Sequence, residues 1–212
     1  MLKATVLLGT LKPESGKEFS NTKVLSEILC DELATHGVES EILHLAAYNI
    51  PPGTKSDLGQ GDDWPKILGK LVRSEIIIFA TPIWWDGHSS LIQRTLERLD
   101  ELNDEIVATG KSEFLNKVGG IVITGAEDGA QHIIASLANF MVWNGLTLPP
   151  ACSLSYLGGH KAKTARDLKK EFLSRPYTAG MAKTMARNLA YLAQLLKDHP
   201  LPVQEKGAQA LR

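Results

Sequence analysis

The chain has 212 residues, enough for one well-buried domain and short for two. With 43% hydrophobic and 22% charged residues it reads as an ordinary globular protein, and a net charge of -1 gives no electrostatic argument for nucleic acid or an anionic membrane. No apolar run approaches the roughly 20 residues that span a bilayer, and Met1-Leu2-Lys3 lacks the pattern of a signal peptide. A cytoplasmic protein is expected. Cys30 and Cys152 lie far apart and match no zinc or redox spacing.

The predicted elements alternate along the chain. Ala4–Leu8 reads as a first strand and Asn21–His36 as the helix after it, with Val24, Leu25, Ile28, Leu29 and Leu33 on one side and Gly37 as a C-terminal cap. Glu41–Leu45 is a second strand, and Asp63–Arg73 a shorter helix. Glu75–Ala80 and Gly119–Thr124 contain the continuous apolar runs expected of strands covered on both faces of a parallel sheet. Ser90-Leu91-Ile92-Gln93 has a capping-box pattern and opens a helix to about Leu99. Asp128-Gly129-Ala130-Gln131 resembles another capped start, running to Asn144-Gly145. A weaker fifth strand falls near Cys152–Leu157. Beyond it, Lys161–Phe172 is a charged segment broken by Arg175-Pro176, and a long helix follows over Thr178–Asp198, with Met181, Met185, Leu189, Leu192 and Leu196 along one face as packing residues. The alternation predicts a doubly wound α/β fold: a flavodoxin-like five-stranded parallel sheet of order 2-1-3-4-5 with extra C-terminal helices. Residues 1–199 are expected to form a single domain, with 200–212 as a flexible tail or oligomer arm.

Ligands of such sheets bind at the carboxyl ends of the strands. The first loop there, Gly9 to Thr22, fails as a triphosphate loop. Six residues instead of four separate Gly9 from Gly16, and Lys17 is followed by Glu18, not by a hydroxyl that would hold magnesium. It also lacks the closely spaced glycines of a dinucleotide fingerprint. Its end, Ser20-Asn21-Thr22, puts two hydroxyls and an amide at a helix start, where a single terminal phosphate gains about 0.3–1 kcal/mol from the helix dipole when exposed. Simple capping explains the same residues equally well. After the third strand, Thr81-Pro82-Ile83-Trp84-Trp85-Asp86-Gly87 offers flat side chains at a strand end, suited to a planar, partly apolar ligand. Burial or an interface would account for either tryptophan alone.

The stretch from Phe79 to Asp100, with Thr81-Pro82-Ile83-Trp84, Gly87 and Glu97-Arg98-Leu99-Asp100, resembles the second flavin-contacting loop and following helix of the NADPH-dependent FMN reductase family. The resemblance runs from about Lys3 to Leu157. It implies FMN as cofactor, with Ser20, Asn21 and Thr22 at the phosphate and Pro82, Ile83, Trp84 and Trp85 at the isoalloxazine and ribityl chain. Thr124, Gly125, Ala126, Glu127 and Gly129 are implied on the pyrimidine side. The first loop departs from the family's common Gly-Ser-x-Arg form, His88 stands where proline is frequent and Gln93 where lysine is frequent. No cysteine cluster for an iron–sulfur centre is present. The expected activity is transfer of a hydride from NADPH or NADH through FMN to a small acceptor such as a quinone or free flavin, with no catalytic side chain required and no metal. His88 and His132 are candidates to meet an acceptor, though a surface histidine at a helix start is the reading preferred for each. A homodimer or homotetramer is expected. An electron-carrying flavodoxin and a flavodoxin-fold binding module are the competing readings.

Overall fold

A computed structural model describes residues 1–13, 18–126 and 128–203. Five parallel strands form one sheet: β1 (Leu2–Leu8), β2 (Val38–His44), β3 (Ile76–Pro82), β4 (Val118–Gly125) and β5 (Ser153–Leu157), in the order β2-β1-β3-β4-β5. This is the expected doubly wound, flavodoxin-like arrangement. The helices are α1 (Asn21–Ala34), α2 (Trp64–Val72), α3 (Ser90–Arg98), α4 (Glu101–Thr109), α5 (Ala130–Trp143), α6 (Ala165–Ser174) and α7 (Pro176–Asp198).

Alternate residues of each strand serve opposite faces, so the sheet separates two apolar layers. Val6, Leu8, Ile78, Ala80 and Val122 pack with α1, α6 and α7. Leu7, Ile77, Phe79, Ile121 and Ile123 pack with Trp64, Ile67 and Leu71 of α2, Ile92 of α3, and Ile133, Leu137 and Met141 of α5. The inward stripe of α7 is built from Ala182, Met185, Ala186, Leu189, Ala193 and Leu196. Met181 and Leu192, expected on that stripe, are only partly buried beside it. The small alanines let a 23-residue helix lie close against the sheet and α1.

Several boundaries differ from the sequence reading for local reasons. β2 begins at Val38 because it pairs with β1 from Leu2↔Val38 onward, its outward glutamates tolerated at the sheet edge. The cap of α3 is Ser89, not Ser90: its hydroxyl accepts the Ile92 N–H at 3.3 Å, while the Gln93 amide reaches Glu97 at 3.0 Å and closes no capping box. At α5 the cap position is Gly129 and no side chain caps the helix. α4 was not anticipated; Leu102 and Ile106 are its only buried pair, too few for an apolar period to stand out.

One buried ion pair fixes the long connection between β2 and α2. Arg98, fully buried near the end of α3, donates to both Asp62 carboxylate oxygens at 3.2 and 2.6 Å and to the carbonyls of Pro51 and Lys55. Its guanidinium also lies 5.8 Å from the Trp64 ring centroid.

Candidate functional site

The carboxyl ends of β1, β3, β4 and β5 border one cavity of about 400 Å³. At one end stands the head of α1. Ser20 caps it, taking the Lys23 N–H on its hydroxyl at 3.2 Å and the Val24 N–H on its carbonyl at 3.1 Å. The Asn21 and Thr22 N–H groups have no intrahelical acceptor by the geometry of a helix start. Asn21 also carries a buried amide Oδ1 with no hydrogen-bond partner. Thr10 and Lys12 complete this end; the Lys12 ammonium is engaged by the Phe19 carbonyl at 3.2 Å and by Glu18 at 3.8 Å. Gly16 and Lys17 lie outside the described residues.

The other end is walled by Pro82, Ile83 and Trp84 from β3 and its loop and by Thr124, Gly125 and Ala126 from β4. A short hairpin shapes this wall. Trp84 and Gly87 exchange N–H···O bonds of 2.8 Å each, which leaves Trp85 (φ 47°) and Asp86 (φ 68°) as a two-residue turn with both φ positive. Trp84 is therefore half exposed against the cavity and Trp85 stands out at 95% exposure, bordering a second cavity of about 280 Å³ with Ile83, Trp84 and Ala126.

The loops are locked to one another. The buried Thr22 and Thr124 hydroxyls are bonded at 2.7 Å, tying α1 to the end of β4. Gly125 must be glycine for packing: a Cβ there would sit 2.7 Å from Ile83 Cδ1 and 2.9 Å from its Cβ. Gly129, at φ 121°, would place a Cβ 2.9 Å from Asp86 Cα, so it is where the third loop rests on the hairpin and it does not line the cavity.

Of the residues singled out by sequence, Ser20, Asn21, Thr22, Pro82, Ile83, Trp84, Thr124, Gly125 and Ala126 share the one cavity; Trp85 is next door, and Glu127 lies outside the described residues. Burial, with a smaller contribution from the neighbouring His132, pushes the pKa of the His88 imidazole down, and neither histidine lines the cavity. Sequence reasoning missed Gly158, Gly159 and His160, which also line it. A glycine pair directly after the last strand, at the same sheet edge, was the available signal. Among the described residues no group of His, Cys, Asp and Glu side chains could hold a metal ion.

These features fit a flavin mononucleotide. The α1 head supplies N–H groups for a phosphate. The unpartnered Asn21 amide, whose oxygen and nitrogen are assigned only by their partners, offers its NH2 to an anion once turned over. The tryptophan end is broad and aromatic, as a ring system needs.

Known proteins point the same way. Over 225 residues the chain is 28% identical to 8-demethyl-8-aminoriboflavin-5'-phosphate synthase of Streptomyces davaonensis, covering 100% of this chain and 85% of the relative. It is 26% identical over 201 residues, 92% of this chain, to the divalent metal cation transporter MntH of Mycobacterium bovis, of whose length it spans only 29%. No helix among the described residues is long and apolar enough to cross a membrane. A crystal structure of RosB with bound 8-demethyl-8-formylriboflavin-5'-phosphate superposes with a TM-score of 0.77 at 26% identity, covering 95% of this chain and 82% of that one. The model of the NADPH-dependent FMN reductases matches residues 2–159, the whole sheet with its site-bearing loops, and the chain belongs to that family.

Proposed function

We propose that this protein is an NAD(P)H-dependent FMN reductase that passes reducing equivalents to a small acceptor such as a quinone or free flavin. The observation that carries this reading is the single cavity with an N–H-rich helix head at one end and a tryptophan wall at the other, in a chain of this family. FMN, when bound, supplies the hydride acceptor and the two-electron store. The chain's part is binding and placement. Asn21, with the N–H groups at the head of α1, holds the phosphate, and Ser20 fixes that helix start. Ile83 and Trp84 seat the ring, and the backbone of Thr124 to Ala126 meets its polar edge. The Thr22–Thr124 bond keeps the phosphate and ring ends at a fixed separation. No side-chain acid or base is required.

Anaerobic titration of the FMN-loaded protein with NADPH and NADH tests the reading. Rapid bleaching of the flavin absorbance by at least one of them is expected; a bound flavin that stays oxidised favours an electron carrier, and a protein that takes up no FMN removes both. The likeness to RosB, over 95% of this chain and 82% of that one, favours a second reading, in which the flavin phosphate is itself the substrate. Recovered flavin of altered mass after incubation would select it, and unaltered FMN is expected. Residues 1–199 are proposed as one domain, acting in the cytoplasm as a homodimer or homotetramer. Sedimentation showing a monomer at all concentrations would remove the oligomer.

A further inference from the structure

The loop between β5 and α6 carries His160, one position beyond the segment matched by the family. His160 lines the same cavity as Ser20 and Asn21. Its ring packs on Phe19, the residue before the Ser20 cap, with centroids 5.6 Å apart and planes inclined by 44°. Its Nδ1 is buried and has no hydrogen-bond partner.

The backbone around this imidazole is fixed on both sides. The Gly158 N–H donates to the Gly125 carbonyl at 2.8 Å, and the Tyr156 hydroxyl donates to the Gly159 carbonyl at 3.0 Å. On the far side the Lys161 N–H donates to the Glu171 carboxylate of α6 at 3.2 Å. Arg175 binds these supports together, its guanidinium 4.7 Å from the Tyr156 ring centroid and 3.4 Å from Glu171. Buried polar atoms are nearly always satisfied, and an orphan at a held position beside a cavity calls for an explanation, a water or a ligand among them. Beside a helix head whose N–H groups seek an anion, a phosphate oxygen supplies one. A half-turn about χ2 exchanges Nδ1 with Cδ2 and brings the nitrogen to the other edge of the ring without moving the backbone.

We propose that His160 is a phosphate-binding residue, its imidazole donating a hydrogen bond to the terminal phosphate of the flavin and making the site selective for FMN over riboflavin. The inference rests on the FMN reading and adds that the C-terminal helices, through Glu171 and Arg175, complete the cofactor site.

Fluorescence titration of the full chain with FMN and with riboflavin tests it. The unaltered protein should bind FMN more tightly than riboflavin. His160→Ala should raise the Kd for FMN roughly 10- to 100-fold, the range for a hydrogen bond to a charged group, and leave that for riboflavin unchanged. His160→Phe, which keeps a ring against Phe19 but has no donor, should show the same selective loss, and it carries the test if the alanine variant does not fold. His160→Gln, which restores an N–H donor, should recover part of it. Equal losses for both flavins, an unchanged FMN affinity, or an unaltered protein that does not distinguish the two flavins would each overturn the proposal while leaving the FMN reading standing. An unaltered protein that binds neither flavin would end both.

Discussion

Trp85 occupies a backbone conformation that costs a bulky side chain about 1–3 kcal/mol, and nothing packs on it, since it is 95% exposed. A residue both strained and solvated is held for what it meets. Trp85→Gly should therefore raise stability by about 1 kcal/mol in urea unfolding while changing flavin affinity or spectrum; a loss of stability would show that the ring packs in some way. Trp84→Ala should perturb the bound flavin's absorbance, and an unaltered spectrum would return Trp84 to packing. At Gly125, an added methyl group must displace Ile83. Gly125→Ala should weaken flavin binding, and pairing it with Ile83→Gly, which removes the Cβ as well as the branches beyond it, should restore part of the loss, because the two share one space.

Among the elements, α3 shows how a signature can be legible without its role being so. Glu97-Arg98-Leu99-Asp100 is part of the stretch that resembles the family by sequence, yet Arg98 does not line the cavity; it bolts the connection between β2 and α2 from inside. Asp62, its partner, lies 36 residues upstream, a pairing that no local spacing reveals. Arg98→Met leaves a buried carboxylate and two carbonyls without their donor and should cost about 3–5 kcal/mol in urea unfolding; Arg98→Met with Asp62→Leu should recover much of it. Burial pushes the Asp62 carboxyl up, but bonds from Arg98 and from the Trp64 and Leu58 N–H groups outweigh it and hold the group below the usual carboxylate range. Its contribution is thus fully present above the ordinary aspartate pKa and is lost as pH falls through the lowered folded value. Asp62→Asn should flatten the acid end of the stability–pH curve below about pH 4. A curve of unchanged slope would assign acid sensitivity to other carboxylates.

At the scale of the molecule, the sheet order was readable because buried parallel strands such as Ile76-Ile77-Ile78-Phe79 are apolar throughout and turn-rich segments divide them. The phosphate end and the tryptophan wall were readable for the same reason: residue type and strand end coincide. The β5 loop was not, because Gly158-Gly159-His160 acquires its place only through Gly125, Tyr156 and α6. α7 has a further consequence, for biosynthesis. When the first 159 residues have been made, Val6, Leu8, Ile78 and Val122 belong to an apolar sheet face that α1 covers only in part, and the rest of its cover, Met185 and Leu189 included, is still unsynthesised. The nascent sheet is then an aggregation-prone intermediate. A chain stopped after residue 159 should therefore collect in inclusion bodies, and a soluble, folded fragment would show that α1 alone suffices to cover that face.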